Sequence, residues 1–330
     1  MSDLLARFAE SAFWLARYLE RAENLARVID VNESLAQESR VAEAWLPIVE
    51  IIADGERFFA KHGAATAEAI VDFYILDSDN PNSIASAVRM ARENARMLRH
   101  LISTEMWTHI NVFHNELSEL TPADLRLDKL SALCSRIKVQ CQTHAGITEG
   151  TLYRDQVYAF HELGKCLERA DQTTRLLDIK YHHLLPSSDL VGSPIDAGQW
   201  NALLRSAAGY HAFRRAHPRG LNPATVAGFL LYNRLFPRSV YVSLELACDH
   251  IGGLETRFGL SGGTAARALR ELRGKLEAAD IGDVIADGLH EYLDALQYRI
   301  IAITGELGRD YFGHNGGAAG ALAQDQCQPA

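Results

Sequence analysis

Apolar positions recur at helical spacing through almost the whole chain, and hardly anywhere do they alternate as a half-buried strand requires. Leu15, Tyr18, Leu19, Ala22, Leu25, Ala26 and Ile29 fall within one arc of about 120° when each residue advances by 100°. That is one face of a long amphipathic helix. The stripe returns at Leu163, Cys166, Leu167, Ala170 and Leu177. Further helices are predicted over 83–117, 121–142, 262–280 and 287–307. Breaks fall where turn chemistry expects them, at Asn80-Pro81-Asn82-Ser83, Thr121-Pro122, Pro186-Ser187-Ser188 and Asn222-Pro223. Ser83 and Thr121 suit the N-cap position, Thr121 with Asp124 in a capping-box arrangement. The pattern predicts an all-α fold.

The two stripes belong to nearly the same phrase written twice, LERAENLARVID at 19–30 and LERADQTTRLLD at 167–178. At one constant offset Leu15 meets Leu163, Glu20 meets Glu168, Arg21 meets Arg169, Arg27 meets Arg175 and Asp30 meets Asp178. Trp45 and Trp200 follow at a slightly longer offset. FYILDSDNPNSI at 73–84 then aligns with FLLYNRLFPRSV at 229–240, placing Phe73, Pro81 and Ser83 on Phe229, Pro237 and Ser239. Landmarks repeated in one order imply two related tandem halves, 1–150 and 151–313, packed as one compact domain about a pseudo-twofold axis. The period is far too long for a solenoid of small units. Residues 314–330 are small and Gly/Ala-rich without periodicity, and are expected to be a disordered tail.

With 330 residues, 48% of them hydrophobic, the chain can bury a substantial core. A net charge of −9 argues against nucleic acid or an anionic membrane as principal partner. Charges at Asp3, Arg7, Glu10 and Arg17 interrupt the N-terminal apolar residues, so no signal peptide or membrane span is expected. Five cysteines without CxxC spacing fit reduced thiols in a cytoplasmic protein. Cys166 falls on the apolar stripe and reads as a core thiol.

Two polar constellations stand out. Around the repeated Glu-Arg pairs, Val28, Val31, Leu176 and Ile179 sit on the nominally polar side, so neighbours must cover it and the charges there must be paired. Glu20, Arg21, Glu168 and Arg169 are therefore expected to be buried and cross-paired, as a structural ion network or as a functional polar site with Glu20 or Glu168 as acid/base. The second constellation is the turn Asn80, Asn82, Ser83 followed by Arg89, Arg92, Arg96 and Arg99 at helical spacing. A helix start with guanidinium forks suits a carboxylate or phosphate, whereas the plain alternative is a solvated face balanced by Glu93 and Glu105. The second half lacks these arginines. Metal binding is not expected: no Glu-x-x-His is present, and His182-His183 has no helical ligand partner. No Walker loop, GxSxG or HExxH appears, so no cofactor of its own is expected.

ESAFWLARYLERAENLARVIDV, DNPNSIASAVRMARENARMLRHLISTEMW, RDQVYAFHELGKCLERADQTTRLLDIKYH and FPRSV together resemble the bacterial alpha-E family, from about residue 4 to 313. The resemblance implies an all-helical domain found beside, or fused to, circularly permuted ATP-grasp ligases. Transglutaminase-like proteins and sometimes a proteasome-like peptidase accompany them. It thereby implies a component of a system that forms and processes amide or peptide bonds, binding the ligase or its acidic substrate or product, with ATP used by the partner ligase. The motif residues carried over are Arg17, Glu20, Arg21, Asn24, Asn80, Asn82, Ser83, Arg92, Asn94, Arg96, Ser103, Glu105, Trp107, Arg154, Asp155, Glu168, Arg169 and Asp171. Lys165 stands where the second motif often has arginine, which keeps charge and loses the bidentate fork. An enzyme with a Glu/Arg site between the halves, and a purely structural scaffold, are the competing readings.

Overall fold

The structure, a computed structural model, describes residues 4–39, 45–183, 194–218 and 220–314. The Pro186 turn, Cys327 and all but the first residue of the expected tail lie outside the described residues, as do the side chains of Ile179, His182 and His183. Among the described residues the chain is helical and contains no strand. Its first eight α-helices are α1 (Ala6–Ser39), α2 (Leu46–Ile52), α3 (Gly55–Lys61), α4 (Ala67–Ile75), α5 (Ile84–Met97), α6 (Thr104–Ser118), α7 (Leu127–Thr151) and α8 (Gln156–His183). They are followed by α9 (Pro194–Ser206), α10 (Tyr210–Ala216), α11 (Pro223–Tyr232), α12 (Val240–Phe258), α13 (Gly263–Ala278), α14 (Ile281–Asp287) and α15 (Leu289–Tyr311). No helix among them is long and apolar enough to cross a membrane.

The two Glu-Arg helices, α1 and α8, lie against each other at the centre. α5 and α7 flank α1, α12 and α15 flank α8, and α6 and α13 complete the outer packing. The short helices cross over: α2 packs on α8 and α9 on α1. This arrangement explains why α1 is covered on both sides. Its apolar stripe (Leu15, Leu19, Ala22, Ala26, Ile29) is buried, and so are Arg17, Glu20, Arg21 and Glu23 on the opposite side. The central helices approach very closely at Gly164, where a Cβ would lie 2.2 Å from the Phe13 carbonyl oxygen. Only glycine fits there.

Local geometry recurs along the chain. Trp45 and Trp200 are both buried. Ala53 and Ala208, each following a short helix, both adopt φ of 57°, in the left-handed region. Phe58 stacks on His62 at 4.9 Å and 28°, and Phe213 stacks on His217 at 4.9 Å and 27°. Phe58 meets Phe73 edge-on at 5.2 Å, as Phe213 meets Phe229 at 5.4 Å. The expected cap at Ser83 forms, its hydroxyl accepting from Ser86 N at 3.1 Å, and Ser239 accepts from Val242 N at 3.1 Å. Thr121 donates through its amide and its hydroxyl to Asp124 and opens a single 3-10 turn. Burial pushes the Cys166 thiol up to about 12, so it is an inert core thiol at neutral pH.

Candidate functional site

The Glu-Arg dipeptides meet where α1 and α8 pack, and each glutamate takes the arginine that follows the other. Arg21 donates from Nε to Glu168 Oε1 at 2.7 Å and from Nη2 to Oε2 at 3.1 Å. Arg17 donates from Nε to Glu168 Oε2 at 2.7 Å and from Nη1 to the Thr304 hydroxyl at 3.2 Å. In return Arg169 donates to Glu20 from Nε at 3.0 Å and from Nη2 at 2.7 Å. Arg238 reaches the same cluster from the turn before α12. Its Nη1 donates to Glu20 Oε1 at 2.7 Å and to Asn24 Oδ1 at 3.1 Å, and its Nη2 to Glu23 Oε1 at 2.8 Å. Arg27 pairs with Glu23, and Arg175 with Asp171, each one turn along its own helix.

Both carboxylates are locked in the charged form. Burial alone would raise Glu168, but Arg21 and Arg17 outweigh it and hold the group at about 2. Burial likewise opposes Glu20, and Arg169 and Arg238 carry it far below the usual carboxylate range. A general acid or base works best with a pKa near the operating pH. The expected acid/base role of Glu20 and Glu168 is therefore opposed by their surroundings. At neutral pH they have no proton to give, and two guanidiniums already engage the oxygens of each.

Beside the Glu168 cluster lies a cavity of about 60 Å³. Arg17, Arg21 and Arg175 line it with Asp171, Gln172 and Asn82, and its apolar wall is Trp14, Leu25, Val28, Ile52, Ile300 and Ile301. Arg17 is held over the Trp14 ring at 4.9 Å. Asn82 forms one edge because its amide donates to both oxygens of Asp54, at 3.0 and 2.9 Å. Asp171 is 5% exposed and its Oδ2 accepts from Arg175 Nε at 2.8 Å, while its Oδ1 has no hydrogen-bond partner among the described residues.

Of the sequence-derived site residues, Arg17, Glu20, Arg21, Asn24, Glu168, Arg169 and Asp171 are brought together in this central network. The arginine stripe is not. Arg89 and Arg96 are exposed on the outer side of α5, where Arg96 pairs with Glu93. Arg92 donates to Asn111 and Glu93. The anion cradle expected from that stripe and the turn before it is not assembled. Asn80 donates to the Phe73 carbonyl and accepts from Asn82 N, and Ser83 caps α5, so these side chains build the turn. Asn94 bonds back to Met90 O, and Glu105 is exposed in the first turn of α6. Arg154 pairs with Glu149 and Tyr158 on the surface, and Asp155 accepts from the amides of Val157 and Tyr158 at the start of α8. Sequence reasoning missed Trp14, Asp54, Arg238 and Thr304 as members of the site. For Arg238 a signal existed, because in the repeated turn it occupies the register of Asn82.

Asp178, His290 and Asp294 bring one ligand atom each within 4.8 Å. His290, however, directs Nδ1 to Asp178 at 2.8 Å and Nε2 toward Asp294 at 3.5 Å.

Comparison with known proteins gives no match among curated proteins or solved structures. A family described as a predicted alpha-helical domain with a conserved ER motif matches residues 4–312. That span contains the cross-paired dipeptides Glu20-Arg21 and Glu168-Arg169 and every residue lining the cavity, and the chain belongs to the Alpha-E family.

Proposed function

We propose that this chain is a non-autonomous binding component of an ATP-grasp-linked system that forms and processes amide or peptide bonds. On this reading the cavity beside Glu168 receives an acidic group of the partner ligase's substrate or product. The observation that carries it is the convergence of Arg17, Arg21 and Arg175 on one recess with an apolar wall. Charge-assisted hydrogen bonds in such a partly dehydrated recess are roughly twice as strong as neutral ones. The buried carboxylates fix the guanidiniums in place, so little side-chain freedom is lost when a ligand arrives. ATP belongs to the circularly permuted ATP-grasp ligase, and the pair works in the cytoplasm. A transglutaminase-like protein and a proteasome-like peptidase act on the same product.

The halves 1–150 and 151–313 are, on the same reading, products of a duplication packed about a pseudo-twofold axis. The reciprocal Glu-Arg pairing, the two left-handed alanines and the two Phe-His stacks support this. The test of the function is to mix the full chain with the ligase, then measure complex formation by size-exclusion light scattering and ATP turnover with an acidic peptide. A stable complex with altered turnover is expected. No complex together with unchanged turnover refutes the proposal.

A further inference from the structure

The central helices α1 and α8 run in the same direction. Gly164 lies against Phe13, and further along both helices Glu168 pairs with Arg17 and Arg21, so the numbering rises together. The short helices that follow them, α2–α4 after α1 and α9–α11 after α8, therefore form two lobes at one end of the molecule. Each folds back on the other's long helix, α2 on α8 and α9 on α1. Local geometry matches between the lobes, through Ala53 and Ala208 and through the Phe58–His62 and Phe213–His217 stacks. Their charge does not. Residues 45–88 include seven acidic and two basic side chains, whereas 200–244 include six arginines and no acidic side chain.

Much of this charge is at the surface. Arg205, His211, Arg214 and Arg215 are exposed, and Arg205 lies over the Tyr210 ring at 5.2 Å. Tyr210 and His211 stand one helical turn before Arg214 and Arg215, so the four cationic positions are contiguous. On the other lobe Glu56, Glu68 and Asp72 are exposed, the last two one turn apart on α4. Among the described residues no carboxylate pairs with Arg205, Arg214 or Arg215, no cation pairs with Glu56, Glu68 or Asp72, and no salt bridge joins the lobes. Each lobe also exposes a large apolar side chain, Phe59 on α3 and Leu235 in the turn after α11. A foreign acidic partner would answer the basic lobe alone and leave the acidic lobe unmatched. A second copy answers both. A twofold axis across this end lays the basic lobe of each chain on the acidic lobe of the other, and the two contacts close a dimer. We propose that these lobes form a homodimer interface, with Arg205, Arg214 and Arg215 of one chain facing Glu56, Glu68 and Asp72 of a second copy. None of these residues lines the central recess, so the inference is independent of the ligand read into it.

The experiment is sedimentation velocity on the full chain across micromolar concentrations, in about 50 mM and about 500 mM sodium chloride, where charges are screened beyond roughly 14 and 4 Å. A dimer is expected in low salt, its association weakened about tenfold or more in high salt. Arg214→Glu with Arg215→Glu turns the basic lobe acidic, and Glu68→Lys with Asp72→Lys turns the acidic lobe basic. Each double variant should be monomeric where wild type is dimeric, and an equimolar mixture of the two should restore the dimer. Rescue on mixing cannot come from a damaged fold, and the salt series on the unaltered chain decides the matter should either variant misfold. A wild-type chain that is monomeric in low salt, a dimer indifferent to salt and to both reversals, or a mixture of folded variants that stays monomeric overturns the assignment. Binding of poly-L-glutamate by a monomeric chain, lost in the Arg214→Glu/Arg215→Glu variant, also overturns it and gives the basic lobe to a foreign acidic partner.

Discussion

Replacing Glu168 by glutamine keeps the side chain's shape and removes the one charge that Arg17 and Arg21 share. Glu168 is fully buried, and the side chains of Arg17 and Arg21 are only 8% and 11% exposed, so solvent cannot take its place. Stranding buried charge in this way costs about 3–5 kcal/mol. At this chain length roughly 2 °C of melting temperature accompanies each kcal/mol, so Glu168→Gln should melt about 6 to 10 °C lower. Asp128→Asn, at the exposed Arg126–Asp128 pair, is the control and should cost less than about 1 kcal/mol. The pH dependence follows from the same carboxylate. Its pKa is depressed from 4.5 to about 2, so its contribution is complete above pH 4.5 and is lost as pH falls toward 2. The variant should lack that loss. Circular-dichroism melts of wild type, Glu168→Gln, Arg21→Met and the double variant measure both effects, with a coupling of about 1 kcal/mol or more expected between the two positions. A Glu168→Gln melt within 1 °C of wild type, or strict additivity in the cycle, refutes the view that this network supports the fold.

Gly164→Ala should destabilise the protein by about 1–3 kcal/mol because the new methyl meets the Phe13 backbone. Gly274→Ala, on α13 with nothing within 4 Å, should instead stabilise by about 0.4–1 kcal/mol in the same denaturation assay. Burial, with His161 and His109 nearby, holds His144 neutral well below its ordinary 6.5, so the unfolded chain takes a proton that the folded chain refuses. Stability should fall below pH 6.5 by up to about 1.4 kcal/mol per pH unit for this group, and His144→Gln should flatten the urea-midpoint profile between pH 7 and 5. Arg92→Ala with Arg96→Ala removes side chains that lie away from the recess, at the loss of the Arg92–Asn111 hydrogen bond between α5 and α6, so the melting temperature should fall by no more than about 3 °C while ligand binding stays at the wild-type value.

The helices were legible because their signals are local. Apolar spacing marked α1 and α8, and Ser83 and Thr121 sat at element starts as side-chain capping requires. The cross-pairing of Glu20 with Arg169 and Glu168 with Arg21 was also legible, since apolar residues on the polar side demanded cover. The cavity was not. It depends on how far one side chain reaches, Asn82 against Arg238, and on the closeness that Gly164 permits between α1 and α8. The arginine stripe misled for a related reason. Helical spacing places Arg89, Arg92 and Arg96 on a common side of α5 but does not say what that side meets; here Arg89 and Arg96 meet solvent and Arg92 is half-buried against Asn111 of α6.

The most direct test of the proposed binding role is ATP turnover by a circularly permuted ATP-grasp ligase, the proposed partner, measured with the full chain carrying Arg175→Gln or the Arg92→Ala/Arg96→Ala pair. The recess reading predicts that Arg175→Gln abolishes the chain's effect on turnover while the outer pair leaves it intact. If the outer pair abolishes the effect and Arg175→Gln does not, the functional surface is the α5 face and the account of the central cavity is contradicted.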